Sequence, residues 1–269
     1  SSFTITALSA DDYPELPDVD SEKGIRVPQN ELKAMISGTI FAVSENQARP
    51  IHTGVLFEVD SDSITSVAVD GYRLALRRYL PEESLERTLK FVAPAAALKE
   101  VEKILGDTDD PATFYPGSKH ILFTIGDATL VCRILEGEFL DWRRVLPQNN
   151  PIKVAANVRE VTDSIERVSL VISEKIKSPV RCTFGHNTAD FRTTSTIGEA
   201  HDMCSTAGDG KDLEIGFNSR YLLDALRAVP TPEVSLELIN GLSPIVLNPC
   251  DGSGKFSYMV LPVRLKAGE

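Results

Sequence analysis

Four stretches of the chain repeat one hydrophobic pattern. Each opens with a short extended run and passes directly into a segment whose apolar residues lie three and four positions apart, the period of an α-helix. The first is 24–28 followed by 30–44, with Leu32, Met35 and Ile36 on one face. The second is 89–94 followed by 95–105, with Leu98, Val101 and Leu105. The third is 152–155 followed by 158–173, with Val161, Ile165, Val168 and Ile172, and the fourth is 213–217 followed by 219–229, with Leu222, Leu223 and Leu226. Equivalent positions recur at an interval of about 60 residues, the mark of an internal repeat. Pro28 and Pro94 stand just ahead of their helices, where a missing N–H costs nothing. Asn157 and Asn218 stand where an N-cap belongs.

Between the helical segments lie alternating runs joined by turn residues. Runs 54–59 and 63–69 flank Asp60-Ser61-Asp62, and 120–125 and 129–134 flank Gly126-Asp127-Ala128. Runs 180–184 and 189–194 flank 185–188, and 234–238 and 244–247 flank Asn240-Gly241. These are hairpin signatures. Helix then hairpins, repeated, predicts an α+β fold with antiparallel sheet. The four units pair into two domains, 21–145 and 146–269, joined at the proline-bearing segment 146–151. Residues 1–20 fit neither. A strand-like alternation from Phe3 to Leu8 leads into an acidic, proline-rich stretch, as expected for the end of a preceding domain of a longer protein.

Composition narrows the function classes. No apolar run approaches the roughly 20 residues of a membrane helix, and no basic segment followed by an apolar one opens the chain. The 28 basic and 39 acidic residues give a net charge of −11. That is the wrong sign for a nonspecific nucleic-acid binder, unless the basic residues gather on one face or the contact is topological. Four Cys (132, 182, 204, 250) and four His (52, 120, 186, 201) fall at no metal-ligand spacing, so no metal site or disulfide framework is expected, and reduced thiols point to the cytoplasm. Gly208-Asp209-Gly210-Lys211 lacks the spacing of a phosphate loop and reads as a turn. Asp107, Asp109 and Asp110 lack the later ligands of a cation loop and read as a solvated helix exit. No constellation asks for a catalytic role, and no cofactor is implied.

Four stretches carry a family resemblance: 48–58 (ARPIHTGVLFE), Val69-Asp70-Gly71-Tyr72-Arg73-Leu74-Ala75, 136–147 (EGEFLDWRRVLP) and 258–265 (YMVLPVRL). Their D-G-[HY]-R-L, D-[YW]-R-R-V-[LI]-P and M-x-x-P-x-R-L motifs resemble, in order and spacing, those of the bacterial sliding clamp, the β subunit of DNA polymerase III. The resemblance spans essentially the whole chain and makes 21–145 and 146–269 the family's second and third domains, with 1–20 the end of its first. It implies a non-catalytic processivity factor of DNA replication. Two three-domain subunits would close head-to-tail into a homodimeric ring around duplex DNA. A pocket between the second and third domains would take clamp-binding peptides from the polymerase α subunit, the clamp-loader δ subunit, repair polymerases and mismatch-repair proteins. A chain without the first domain is expected to be a monomer.

Carried over position by position, the resemblance builds the peptide pocket from His52, Val69, Gly71, Tyr72, Arg73 and Leu74. Leu140, Arg144 and Val145 come from the segment before the linker. The third domain adds Asn218, Tyr221, Leu242, Pro244, Met259, Val260, Leu261, Pro262, Val263 and Arg264. Such a groove takes apolar anchors in pockets while backbone groups and arginines fix the peptide. Read singly, Val69, Val145 and Val260 suit any strand core, Leu74 fits either core or pocket surface, and Gly71 suits a turn. Arginines within apolar segments (73, 144, 264) are either paired or functional. His52 stands where relatives usually place an aliphatic residue, which makes that edge more polar.

The expected DNA-facing residues are Lys33, Lys99, Lys103, Arg159, Arg167, Arg220 and Arg227 on the four helices, and Arg49 in the loop after the first. The plainer reading is that these dot the solvent face of any amphipathic helix, since acids share the same helices. Two further function classes stand beside the clamp: an enzyme with dispersed residues such as Asp70 and Tyr72, and an interaction module with no DNA role. The fourfold repeat argues against the enzyme, because a site on one unit needs no repeated scaffold.

Overall fold

A computed structural model describes residues 1–9, 24–172 and 178–265. Strand β1 (Ile25–Pro28) turns at Pro28 into helix α1 (Gln29–Ser37), which has no side-chain N-cap. The N–H groups that a helix start leaves open find carbonyls instead: Gln29 donates to Asp110 at 2.9 Å and Asn30 to Thr108 at 3.0 Å. The acidic 107–110 loop therefore caps α1, and Lys33 and Asn30 bind the side chains of Asp107 (2.8 Å) and Asp109 (2.9 Å). It is more than a solvated helix exit. Helix α1 stops seven residues before the expected 44. Thr39, fully buried, turns its hydroxyl back onto the Met35 carbonyl at 2.7 Å, and the chain tightens into a 3-10 turn over Ile40–Ala42.

Strands β2 (Gly54–Val59), β3 (Ile64–Val69) and β4 (Arg73–Tyr79) form a meander, followed by β5 (Leu89–Pro94) and α2 (Ala95–Ile104). A second sheet follows from β6 (Pro111–Pro116), β7 (His120–Ile125) and β8 (Ala128–Arg133). A single-turn helix α3 (Trp142–Val145) leads to β9 (Ile152–Asn157) and α4 (Val158–Ser169). Strands β10 (Val180–Ser195) and β11 (Gly198–Phe217) precede α5 (Ser219–Arg227), and β12 (Glu233–Leu238), β13 (Ile245–Asn248) and β14 (Phe256–Val260) complete the fold. The two expected N-caps are in place: Asn157 Oδ1 accepts from Glu160 N at 3.1 Å and Asn218 Oδ1 from Arg220 N at 3.0 Å.

Three expectations from the pattern need correction. Segment 185–188 is not a hairpin turn. β10 runs through it with register shifts on either side of His186 and turns only after Ser195. The 208–211 turn likewise lies inside β11, as an irregularity with positive φ at Gly208, Lys211 and Asp212. The cause is common to both: a bulge in one strand of a long ribbon carries turn residues without ending it. The alternation Phe3 to Leu8 forms no strand, and its three large apolar side chains are almost fully exposed, with no neighbouring strand among the described residues. The acidic stretch after it, 10–23, lies outside the described residues, as does Ser173 at the expected end of the third helix.

One ten-stranded antiparallel sheet, in the order β10-β11-β9-β12-β13-β14-β4-β3-β2-β5, runs through both halves of the chain. The seam is β14 on β4, from Phe256 opposite Arg77 to Val260 opposite Arg73. A four-stranded sheet, β1-β6-β7-β8, lies against the first half, where Phe114 meets Phe57 and Phe91. The predicted helix faces (Leu32, Met35, Ile36; Leu98, Val101; Val161, Ile165, Val168; Leu222, Leu223, Leu226) are buried in one continuous core. A smaller second core lies at the seam and contains Leu56, Val67, Leu74, Leu76, Phe139, Trp142, Val246 and Met259. No helix among the described residues is long and apolar enough to cross a membrane.

Candidate partner-binding site at the sheet seam

The β3–β4 turn occupies the seam and is built by its own residues. Asp70 Oδ1 accepts from the backbone N–H of Tyr72 (2.9 Å) and of Arg73 (3.1 Å), an Asx-type closure. Gly71 sits at φ +93°, so its role is the turn, as its type suggested. With both oxygens of Asp70 engaged, the pairing of Asp70 and Tyr72 as catalytic groups has no support.

Arg73 is 7% exposed. Its Nε pairs with Asp70 Oδ2 at 2.9 Å, and one terminal nitrogen pairs with Asp224 Oδ2 on α5 at 2.6 Å. Its guanidinium lies 4.6 Å from the ring centre of Tyr221 and 5.5 Å from that of Phe41. Tyr221 in turn stacks on the exposed Tyr72, with centroids 5.6 Å apart and planes 20° apart.

After β14 the C-terminal segment is held from both halves. Leu261 N donates to the Tyr72 carbonyl at 2.9 Å and Val263 N to the Gly216 carbonyl at 2.8 Å. Gly216 is closely packed, because a Cβ there would stand 2.9 Å from the Val263 carbonyl oxygen.

The structure sorts the expected pocket residues into exposed and buried ones, and of the exposed ones Tyr72 and Leu140 line the cavity described below while Leu261 and Val263 belong to the clasp. Tyr72, Leu140, Val145, Leu242, Leu261 and Val263 are exposed apolar groups. Pro244, Pro262 and Asn218 are half-buried, and Asn218 spends its side-chain oxygen on the α5 cap. Arg144 is exposed and pairs with Asp141 at 3.0 Å, while Arg264 is exposed. Val69, Leu74, Met259 and Val260 are buried. Leu74 is therefore a core residue and not a pocket-surface one. It faces Met259 across the seam and packs in the smaller core. Val260, one residue further along a pleated strand, points to the opposite face and joins the helix-side core, away from Leu74 and Met259.

His52 stands against Phe139 edge-on, with centroids 5.3 Å apart. Its Nε2 is buried without a hydrogen-bond partner among the described residues. Burial and, less strongly, the Arg49 charge push its pKa down, which favours the neutral ring. The expected residue set leaves out Trp142 and Glu58. The Trp142 indole N–H donates to Glu58 Oε2 at 3.1 Å, which fastens α3 to the sheet, and Arg143 and Lys90 complete the carboxylate's partners. Glu58 and Trp142 are 84 residues apart in sequence, so no local pattern signalled the pair.

A cavity of about 870 Å³ opens beside the tyrosine pair and takes walls from both halves. His52, Tyr72, Leu140 and Tyr221 line it, and so do Arg49, Lys99 and Arg220, which make no ion pair with a described residue. The other expected DNA-facing cations are engaged: Lys33 with Asp107, Lys103 with Glu100, Arg159 with Asp163, Arg167 with Asp202, and Arg227 with Glu166. Among the described residues no group of three potential ligands is placed to hold a metal.

Residues 26–141 match the family model of the DNA polymerase III beta subunit central domain, and 143–264 match that of its C-terminal domain. The beta sliding clamp of Staphylococcus epidermidis is 32% identical over 266 residues, 98% of this chain and 70% of that protein. The crystal structure of the DNA polymerase sliding clamp from Bacillus subtilis superposes with a TM-score of 0.91 at 28% identity, covering 96% of this chain and 69% of that one. The DNA polymerase III beta subunit from Pseudomonas aeruginosa gives 0.88 at 27%, over 96% and 71%. With two adjacent domains matched in order and an α+β architecture shared along nearly its whole length, the chain belongs to the DNA polymerase III beta sliding clamp family, whose members are non-catalytic processivity factors.

Proposed function

We propose that the protein works in the cytoplasm as part of a ring that encircles duplex DNA during replication, with 21–145 and 146–269 as two of the three domains of each subunit in a homodimer. The seam between these domains receives short peptides from the polymerase, the clamp loader and repair proteins. One observation carries the reading: where β14 pairs with β4, Tyr72, Leu140 and Tyr221 from the two halves line a cavity, and the exposed Leu261 and Val263 follow in a backbone clasp held by Tyr72 and Gly216. Exposed apolar groups beside a cavity suit a short peptide with hydrophobic anchors. Arg49, Lys99 and Arg220, without a carboxylate partner among the described residues, are the cations best placed to meet phosphate. The engaged cations on α1, α2, α4 and α5 are second in that order, because each would first have to leave an acid.

The test is fluorescence anisotropy with a labelled peptide carrying a glutamine and two spaced hydrophobic anchors. Leu140→Asp with Leu261→Asp should abolish binding while leaving cooperative unfolding intact, since Leu140 lines the cavity, Leu261 lies in the clasp and both side chains are exposed. Wild-type affinity in the folded double variant would overturn the pocket.

A further inference from the structure

We propose that Asp224 is a positioning residue for this pocket: through Arg73 it holds the Tyr72–Tyr221 ring pair in the orientation that a partner peptide meets. The proposal rests on the peptide-pocket reading above.

Arg73 cannot serve as an open peptide contact. Its side chain is 8% exposed, and its donors are aimed at two carboxylates, one in its own turn and one on a helix of the other half. A guanidinium is a planar fork, so two carboxylates at different nitrogens fix its plane as well as its position. That plane lies against Tyr221, whose other neighbour is the exposed Tyr72 ring. The Tyr72 carbonyl holds Leu261, so the same assembly also sets the register of the C-terminal segment.

Asp224 is the carboxylate that this assembly takes from α5, the helix that also carries Tyr221. It is steadied there by Arg227 at 4.0 Å, which itself pairs with Glu166 on α4 at 2.7 Å. Removing the Asp224 charge leaves a buried guanidinium with one carboxylate. An underpaired buried cation moves toward water or another anion, and here it would release Tyr221.

The experiment is an anisotropy titration of the same labelled peptide on the 269-residue chain and on D224N, D224E, Y221A and D224N/Y221A, with thermal unfolding of each. D224N should weaken binding about tenfold, and D224E should restore most of it. In the Y221A background D224N should add less than about twofold, because no ring pair is left to position. R73K, which keeps the charge but cannot span both carboxylates, should repeat the D224N loss and serves if D224N fails to fold. Additive losses around the cycle, or an unchanged Kd in folded D224N, would overturn the proposal. A wild-type chain that does not bind the peptide would instead overturn the pocket reading, and this proposal with it.

Discussion

Leu74→Ala tests how the two halves are joined. Leu74 is 1% exposed, in the smaller core at the seam, on a strand hydrogen-bonded to β3 on one side and β14 on the other. The change removes about three carbons, and at roughly 0.8 kcal/mol per buried CH₂ the transfer loss is about 2.4 kcal/mol. A residual cavity adds to this, at about 24 cal/mol per Å³. With ladders on both edges β4 cannot shift to fill the gap, so on the order of 50 Å³ should persist and add about 1.2 kcal/mol. The expected loss is about 3–4 kcal/mol, read as a lowered urea midpoint at unchanged slope by far-UV circular dichroism. Leu261→Ala, in the clasp at 37% exposure, should cost less than about 1 kcal/mol in the same assay. A Leu74→Ala loss below about 1 kcal/mol would refute the wedged position, since it would require the seam to collapse freely around the smaller side chain. Leu74→Asp places an unpaired charge in that core and should unfold the protein, so it reports on the fold and not on peptide binding.

Three further outcomes follow from the geometry. Burial alone would raise the Glu58 pKa, but hydrogen bonds from Lys90, Trp142 and Arg143 together with the Arg143 charge outweigh it, leaving the folded value below the ordinary 4.5. Its contribution is therefore fully present above that pH and lost as pH falls through the folded value. Urea midpoints measured downward from pH 6 should fall more steeply for wild type than for Glu58→Gln, and parallel curves would contradict the pairing. Gly71→Ala, forced to φ +93°, should cost about 1–2 kcal/mol, measured by thermal unfolding; a neutral result would mean the turn adopts another conformation. Binding to a short linear duplex should be weak at physiological salt, and Arg49→Ala, Lys99→Ala and Arg220→Ala should each lower the log–log salt slope by about one. Slopes unchanged in all three would remove these residues from the DNA side.

Much of this molecule was legible locally. The buried faces of α1, α2, α4 and α5 follow from apolar spacing alone, because a helix of period 3.6 has only one face to hide. Asn157 and Asn218 were readable as caps because their side chains bond within the next three residues, and the α+β class followed from hairpins whose partners are adjacent in sequence. Helix α3 was not legible in this way, since one helical turn has no repeat.

What remained belonged to distant pairs. No local pattern tells that β14 lies on β4, that Arg73 answers Asp224, or that Tyr72 stacks on Tyr221; these residues meet only once both halves have folded and docked. The same distance explains why two burials stayed open between core and pocket wall. Leu74 and Val260 sit in motifs that resemble a pocket wall, but a strand shows its two faces alternately, and which face is covered depends on what docks there. α3 and the seam cover one face, and the helices cover the other. The bulged ribbon of β10 and β11 shows the reverse case: turn-forming residues predicted a hairpin end, and the pairing of two long strands carried the ladder past them. Local chemistry sets where a chain turns and which face it hides, while long-range docking sets what each hidden face meets, because only there does burial outweigh the local preference.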